Sequence, residues 1–209
     1  MSGIDWTASS IQKKYNVSRE TMERLECYVN HLLDWQTRLN LIGKSTIGSI
    51  WSRHILDSLQ LVTHIPRDFK TLIDIGTGAG LPGFVLAIYF ADQSKEVYLV
   101  DSNKKKCSFL DFVSVKCDVP VVVLPERIES LSIKDKVRAD IITARAFSSI
   151  ENIINLSKPY TKHQTKYLLQ RGATTKDELS KLNISSIVNM VYHKSILDEE
   201  SYILDFECN

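Results

Sequence analysis

Leu72-Ile73-Asp74-Ile75-Gly76-Thr77-Gly78-Ala79-Gly80-Leu81-Pro82-Gly83 joins an apolar, β-branched run to a glycine-rich turn, and a helix candidate follows it. A strand that ends in such a turn and feeds a helix is the start of a βαβ unit. Glycines at 76, 78 and 80 allow backbone angles and a close ligand approach that a Cβ would block. The helix behind them points its first N–H groups at whatever is bound. No Lys-Ser or Lys-Thr follows the loop, which disfavours a triphosphate-binding P-loop.

Two details separate the remaining adenosine-type ligands. The spacing is G-x-G-x-G and not G-x-G-x-x-G, although Gly83 allows a loose match to the dinucleotide pattern. Asp74 stands two residues before the first glycine. A carboxylate directed into the loop would repel a pyrophosphate, whereas it suits the cationic methionine end of S-adenosylmethionine. Asp101, 21 residues after Gly80, ends the run EVYLVD, where an acid can take both hydroxyls of a ribose in either cofactor class. The expected cofactor is therefore S-adenosylmethionine, with a nicotinamide oxidoreductase as the disfavoured alternative.

Around this unit, short β-branched runs recur at 71–75, 96–101, 119–124, 139–144 and 166–170, as expected of parallel strands buried on both faces. Two apolar tail segments flank Leu197-Asp198-Glu199-Glu200 and predict an antiparallel hairpin at the sheet edge. Upstream, Ser18 caps a predicted helix with apolar positions Met22, Leu25, Val29, Leu32 and Leu39, and Val17 and Met22 take the staple positions. A second predicted helix carries Trp51, Ile55, Leu59 and Val62 on one stripe, leaving Arg53, His54 and Asp57 on other faces. The expected organisation is a helical extension over 1–66 packed on an α/β domain over 67–209.

With 209 residues, 44% of them hydrophobic, the chain has material for one substantial core. Its 26 basic and 25 acidic residues nearly cancel, so any nucleic-acid surface must be a local patch. The cysteines, at 27, 107, 117 and 208, lack metal-ligand spacing; they are read as reduced thiols, and no metal is expected. No apolar run approaches the ~18–20 residues of a membrane span, so the expectation is a cytoplasmic protein.

Further motifs lie in order along the chain: LNLIGKS (39–45), RHILDS (53–58), the glycine loop (72–83), LVDSNKKKCSFL (99–110), ERIESL (126–131) and ITARAFSSI (142–150). On these the chain resembles the glucose-inhibited division protein B family, bacterial methyltransferases that modify N7 of a guanine in small-subunit (16S) ribosomal RNA. The resemblance implies a Rossmann-like class I S-adenosylmethionine-dependent methyltransferase fold, with a seven-stranded, mostly parallel sheet. It further implies that Gly76 and Leu81 line the cofactor, that Ile128 and Glu129 frame its adenine, and that Arg145 sits by the methyl donor and the target base. Where the family usually has a lysine before the glycine after its fifth strand, this chain has Gln170-Arg171-Gly172. Arginine keeps the charge there but not the compact ammonium geometry.

N7 of guanine carries a lone pair and no proton, so the implied reaction is a direct displacement that needs alignment and no general base. Neither an Asn-Pro-Pro-Tyr motif nor a Cys-Pro nucleophile is present. Arg145 is assigned to base or cofactor positioning, and Arg127 and Arg171 to RNA contact. Lys104, Lys105 and Lys106 open a predicted helix and offer either an RNA contact or a solvated turn. His54 and Asp57, three apart, could meet across a turn, with His54 packed on the cofactor loop or moving a proton. Trp35 and Trp51 are expected in the core, with base stacking as the alternative. The expected partner is 16S ribosomal RNA or the small subunit, bound by a monomer. The alternatives are the same donor chemistry on another acceptor, and a ribosome-docking module that retains the pocket.

Overall fold

The β-branched runs are apolar on both sides, so they are stable only inside a sheet covered by helices on both faces. In the computed structural model, which describes residues 6–131, 133, 137–172 and 187–208, they form β1 (Thr71–Ile75), β2 (Glu96–Val100), β3 (Val122–Leu124), β4 (Ala139–Arg145) and β5 (Thr161–Arg171). All five pair in parallel, in the order β3-β2-β1-β4-β5. The chain thus builds outward from β1 in one direction, then returns to build outward from β4 in the other. This reversal opens a crevice at the carboxyl ends of β1 and β4, where open α/β sheets bind ligands.

The run expected as a strand over 119–124 pairs only from Val122. Pro120 has no N–H to give a ladder, and the Val119 N–H closes the preceding helix on Ser114 O at 2.9 Å. The tail hairpin is present as β6 (Ile187–Lys194) and β7 (Tyr202–Cys208), both antiparallel; β7 pairs with β5 and β6 forms the edge. Residues 184–186 of the expected apolar tail lie outside the described residues.

Alternation along β1 sorts its side chains between two apolar clusters. Leu72 faces the helices α4 (Gly83–Phe90) and α5 (Lys104–Lys116), while Ile73 and Ile75 face α6 (Ile150–Ser157). The cluster on the α4/α5 face extends without a break into the N-terminal region through Ile11, Leu25, Tyr28, Leu32, Ile55 and Leu59. Helix α1 (Ala8–Tyr15), capped by Thr7, had no clear sequence signal. Helix α2 (Arg19–Gln36) starts as expected, the Ser18 hydroxyl accepting the Thr21 N–H at 3.1 Å. It stops short of Leu39 because the Gln36 side chain takes the N–H groups of Leu41 and Ile42 at 2.8 and 2.9 Å.

The second predicted helix is not a regular one. It runs as a 3-10 segment (Lys44–Ser49), a π segment (Trp51–Leu56), the single α turn α3 (Asp57–Leu59) and another 3-10 segment (Gln60–His64). The π segment changes the angular spacing of side chains, so His54, expected on another face, is only 7% exposed. Among the described residues no helix is long and apolar enough to cross a membrane.

Candidate functional site

Two cavities meet at the crevice between β1 and β4. The first, about 220 Å³, is lined by Gly76, Asp101, Glu126, Arg127, Ile128, Glu129 and the backbone turn at Ala146 and Phe147. The second, about 150 Å³, lies on the other side of Ala146, walled by Asp57, Arg145, Gln170 and Arg171.

Gly76, with φ +68°, leads the chain into the first cavity, and the Phe147 ring lies so close over it that an added Cβ would come within 2.2 Å of Phe147 Cδ2. Gly80, φ +100°, serves packing instead: a Cβ there would meet Phe84 and Leu110 at 2.7 and 2.9 Å. Leu81, expected in the cofactor wall, is 4% exposed and belongs to the apolar cluster. Asp101 accepts the Gly78 N–H at 2.9 Å and the Asn103 N–H at 2.8 Å, one on each oxygen. Each oxygen keeps a second lone pair for a hydroxyl donor. The Ile128 carbonyl is fixed by the Tyr160 hydroxyl at 2.7 Å.

Asp74 requires a correction. It is 0% exposed, and its oxygens accept the Gly83 N–H at 2.9 Å and the Thr143 hydroxyl at 2.7 Å. Its side chain therefore ties β1 to the first residue of α4 and to β4, and it does not line the first cavity. Burial pushes its pKa up to about 6, against the pull of those hydrogen bonds. A pyrophosphate is disfavoured instead by the cavity wall, where three acids, Asp101, Glu126 and Glu129, accompany one base, Arg127. That wall suits hydroxyl donors and a cationic ligand.

Arg145, at the end of β4, is held from three sides. Its guanidinium donates to Asp57 Oδ2 at 3.1 Å and Arg53 O at 3.3 Å, and it approaches His54 Nδ1 at 3.2 Å. His54 Nε2 lies 2.8 Å from the Thr46 hydroxyl, whose proton goes to Gly43 O at 2.7 Å. A guanidinium cannot accept, so His54 is neutral with its proton on Nε2. Burial, reinforced by the Arg145 and Arg53 charges, holds its pKa down to about 4. His54 and Asp57 therefore meet through Arg145 and not through each other, and His54 packs on Arg145 and Thr46 instead of the glycine loop. Asp57 is steadied further by Gln60 Nε2 at 2.7 Å, and its carbonyl by Gln170 Nε2 at 2.7 Å.

Arg171 donates to Ser148 O at 2.6 Å while walling the second cavity. Lys104 and Lys105 are exposed at the start of α5, whose end is capped by Asn103 Oδ1 accepting the Lys105 and Lys106 N–H groups at 3.0 and 3.3 Å. The Lys106 ammonium turns toward Gly78. Trp35 packs between Phe109 and Phe112, with centroids 5.5 and 5.4 Å away, and Trp51 is partly buried against the same cluster.

Three contributors escaped the sequence reading. Tyr28, fully buried on α2, donates its hydroxyl to Ala79 O in the glycine loop at 2.8 Å. Its position on the apolar face, between Leu25 and Val29, was a usable signal, since a buried phenol needs a partner. Ala146 adopts φ +49°, a left-handed conformation uncommon for alanine, and turns Arg145 and Phe147 toward different cavities. Phe147 is 39% exposed and covers Gly76. Neither of these last two has a local sequence signature.

Residues 21–201 match the family described as rRNA small subunit methyltransferase G. A ribosomal RNA small subunit methyltransferase G of Paramagnetospirillum magneticum is 40% identical over 167 residues, covering 80% of this chain and 78% of that protein. The protein of the same name from Orientia tsutsugamushi strain Ikeda is 34% identical, covering 92% and 93%. Among solved structures, a mutant of MtNAS in complex with S-adenosylmethionine superposes with a TM-score of 0.56 at 16% identity, covering 97% of this chain and 78% of that one; the likeness is one of fold. With the family match running through the glycine loop, the His54–Asp57 segment and Arg145, this chain belongs to the rRNA small subunit methyltransferase G family.

Proposed function

We propose that this chain transfers a methyl group from S-adenosylmethionine to N7 of a guanine in 16S ribosomal RNA. The observation that carries this reading is the adjacency of the two cavities across Ala146. One has an acidic, hydroxyl-accepting wall. The other is walled by two arginines and has a volume in which a single aromatic ring fits.

When bound, the sulfonium supplies an electrophilic methyl group. Asp101 holds the ribose hydroxyls through its unused lone pairs, and Ile128 and Glu129 flank the adenine. Gly76 and Gly78 bring the backbone close to the methionine portion. Arg145, its direction fixed by Asp57 and His54, donates toward the O6 edge of the guanine and leaves N7 free. Arg127, Arg171, Lys104 and Lys105 lie where RNA phosphates can be met. No proton has to be removed from N7. That agrees with a site whose histidine has both ring nitrogens engaged within the protein. Rate acceleration then comes from in-line positioning, which can lower a barrier by up to ~7–11 kcal/mol.

The chain acts on small-subunit RNA in the cytoplasm, as a monomer, on this reading. Nucleoside analysis of 16S RNA from cells with and without the gene tests it. Loss of 7-methylguanosine at a single position, restored by wild type but not by Arg145→Ala, is the expected result. Retention of every 7-methylguanosine would reject the acceptor assignment.

A further inference from the structure

The end of the helical extension and the edge hairpin meet at a group of side chains that methyl transfer does not use. His64 ends the 3-10 segment Gln60–His64, His193 lies on β6 and Asp205 on β7. The two imidazoles stack at 3.9 Å between centroids, inclined by 24°, and His193 Nε2 lies 3.3 Å from Asp205 Oδ2. One ligand atom from each residue falls within 4.8 Å of the other two, an arrangement found nowhere else among the described residues. All three side chains are half-buried, so they are both held and reachable.

We propose that His64, His193 and Asp205 form a binding site for a divalent cation of the zinc class, which ties the helical extension to the edge hairpin. Two imidazole nitrogens and one carboxylate oxygen are a donor set that zinc accepts, with a fourth position open to water. Bonds of ~2.0–2.2 Å in tetrahedral geometry place ligand atoms ~3.3–3.5 Å apart. The His193–Asp205 edge already has that length, at 3.3 Å. The remaining edges, no longer than 4.8 Å, would shorten on binding of the cation.

The competing description is an ion-pair cluster, since Lys166 Nζ lies 3.1 Å from Asp205 Oδ1. The two descriptions respond differently to removal of that lysine. Lys166→Met deletes a positive charge beside the cation and frees Oδ1 to join Oδ2 as a ligand, so zinc should bind more tightly. An ion-pair cluster gains nothing from the change.

Calorimetric titration of zinc into the tag-free full-length chain is the test, with circular dichroism to verify that each variant is folded. The expected result is saturable binding at one equivalent, weakened at least about tenfold in His64→Ala and in His193→Ala and strengthened in Lys166→Met. Cobalt substitution should give d–d bands without a thiolate charge-transfer band, because Cys27 and Cys117, with sulfurs 2.7 Å apart, are the alternative ligands. Zinc should also raise the melting temperature of the wild type and leave that of His64→Ala unmoved. Affinity unchanged by both histidine variants, or a thiolate band from cobalt, would overturn the proposal.

Discussion

Asp74→Asn should make the folded chain more stable relative to the wild type as pH rises, although the change removes a charged residue from the glycine-loop motif. The buried carboxyl has its pKa raised from 3.8 to about 6. Between those values the folded chain keeps the proton that the unfolded chain has released, so the stability contributed by this group is complete below about pH 3.8 and is lost as pH passes 6. A shift of that size corresponds to roughly 3 kcal/mol at neutral pH. Asparagine can accept the Gly83 N–H through its oxygen and donate to the Thr143 hydroxyl oxygen, so the geometry survives. Any fixed cost of the new hydrogen bonds is the same at every pH and drops out of a comparison between pH values. His54 works in the opposite direction. With its pKa held down to about 4, the unfolded chain carries the extra proton between there and 6.5, and stability rises with pH over that interval. The two residues partly cancel in the wild type, and Asp74→Asn should expose the rising limb of His54. Urea unfolding of both proteins at pH 4 and pH 7.5 measures this. A change in their stability difference of roughly 2.5 kcal/mol in favour of the variant at the higher pH is expected, since pH 4 already lies slightly above the unfolded pKa. A difference that does not vary with pH would refute the reasoning.

Tyr28→Phe should lower the melting temperature by roughly 2–4 °C, the scale of a ~1 kcal/mol hydrogen bond in a domain of this size, and weaken S-adenosylmethionine binding by calorimetry, because it frees Ala79 O in the glycine loop. Gly76→Ala places a Cβ against the Phe147 ring at a φ of +68°, so cofactor binding should fall below detection while the circular dichroism spectrum stays native-like. His54→Ala and Asp57→Asn each release one side of Arg145; methyl transfer to 16S RNA should drop about 10²-fold in kcat with cofactor affinity nearly unchanged.

The sheet was legible because its signals are local: β-branched runs, the glycine turn after Ile75, and the apolar segments flanking 197–200. Where expectation and structure part, the deciding force acts over distance. Asp74 looks like a ligand-facing acid until Gly83 and Thr143, nine and 69 residues away, claim both of its oxygens. The helical repeat around Trp51 fails because a π segment alters the angular spacing on which the reading depends, and with it the burial of His54. Arg145 was identified from resemblance, yet its setting could not be read from the chain, since its partners at 53, 54 and 57 lie some 90 residues earlier. The left-handed turn at Ala146 has no compositional mark, because alanine is not a residue that favours it.

The line of contacts from Arg145 through His54 and Thr46 to Gly43 has a polarity. A group that can only donate stands at one end, a carbonyl that can only accept stands at the other, and every proton between them points the same way. Such a line admits few substitutes. Position 54 must accept at one tip and donate at the other across the width of a ring, which serine or leucine cannot do. Position 46 must do both through a single atom, so Thr46→Ser preserves the relay while the isosteric Thr46→Val cuts it and strands a buried imidazole N–H. Segments far apart in the chain, 39–45, 53–58 and 142–150, are thereby bound to a common grammar, in which a change in one is acceptable only if the direction of the protons is kept.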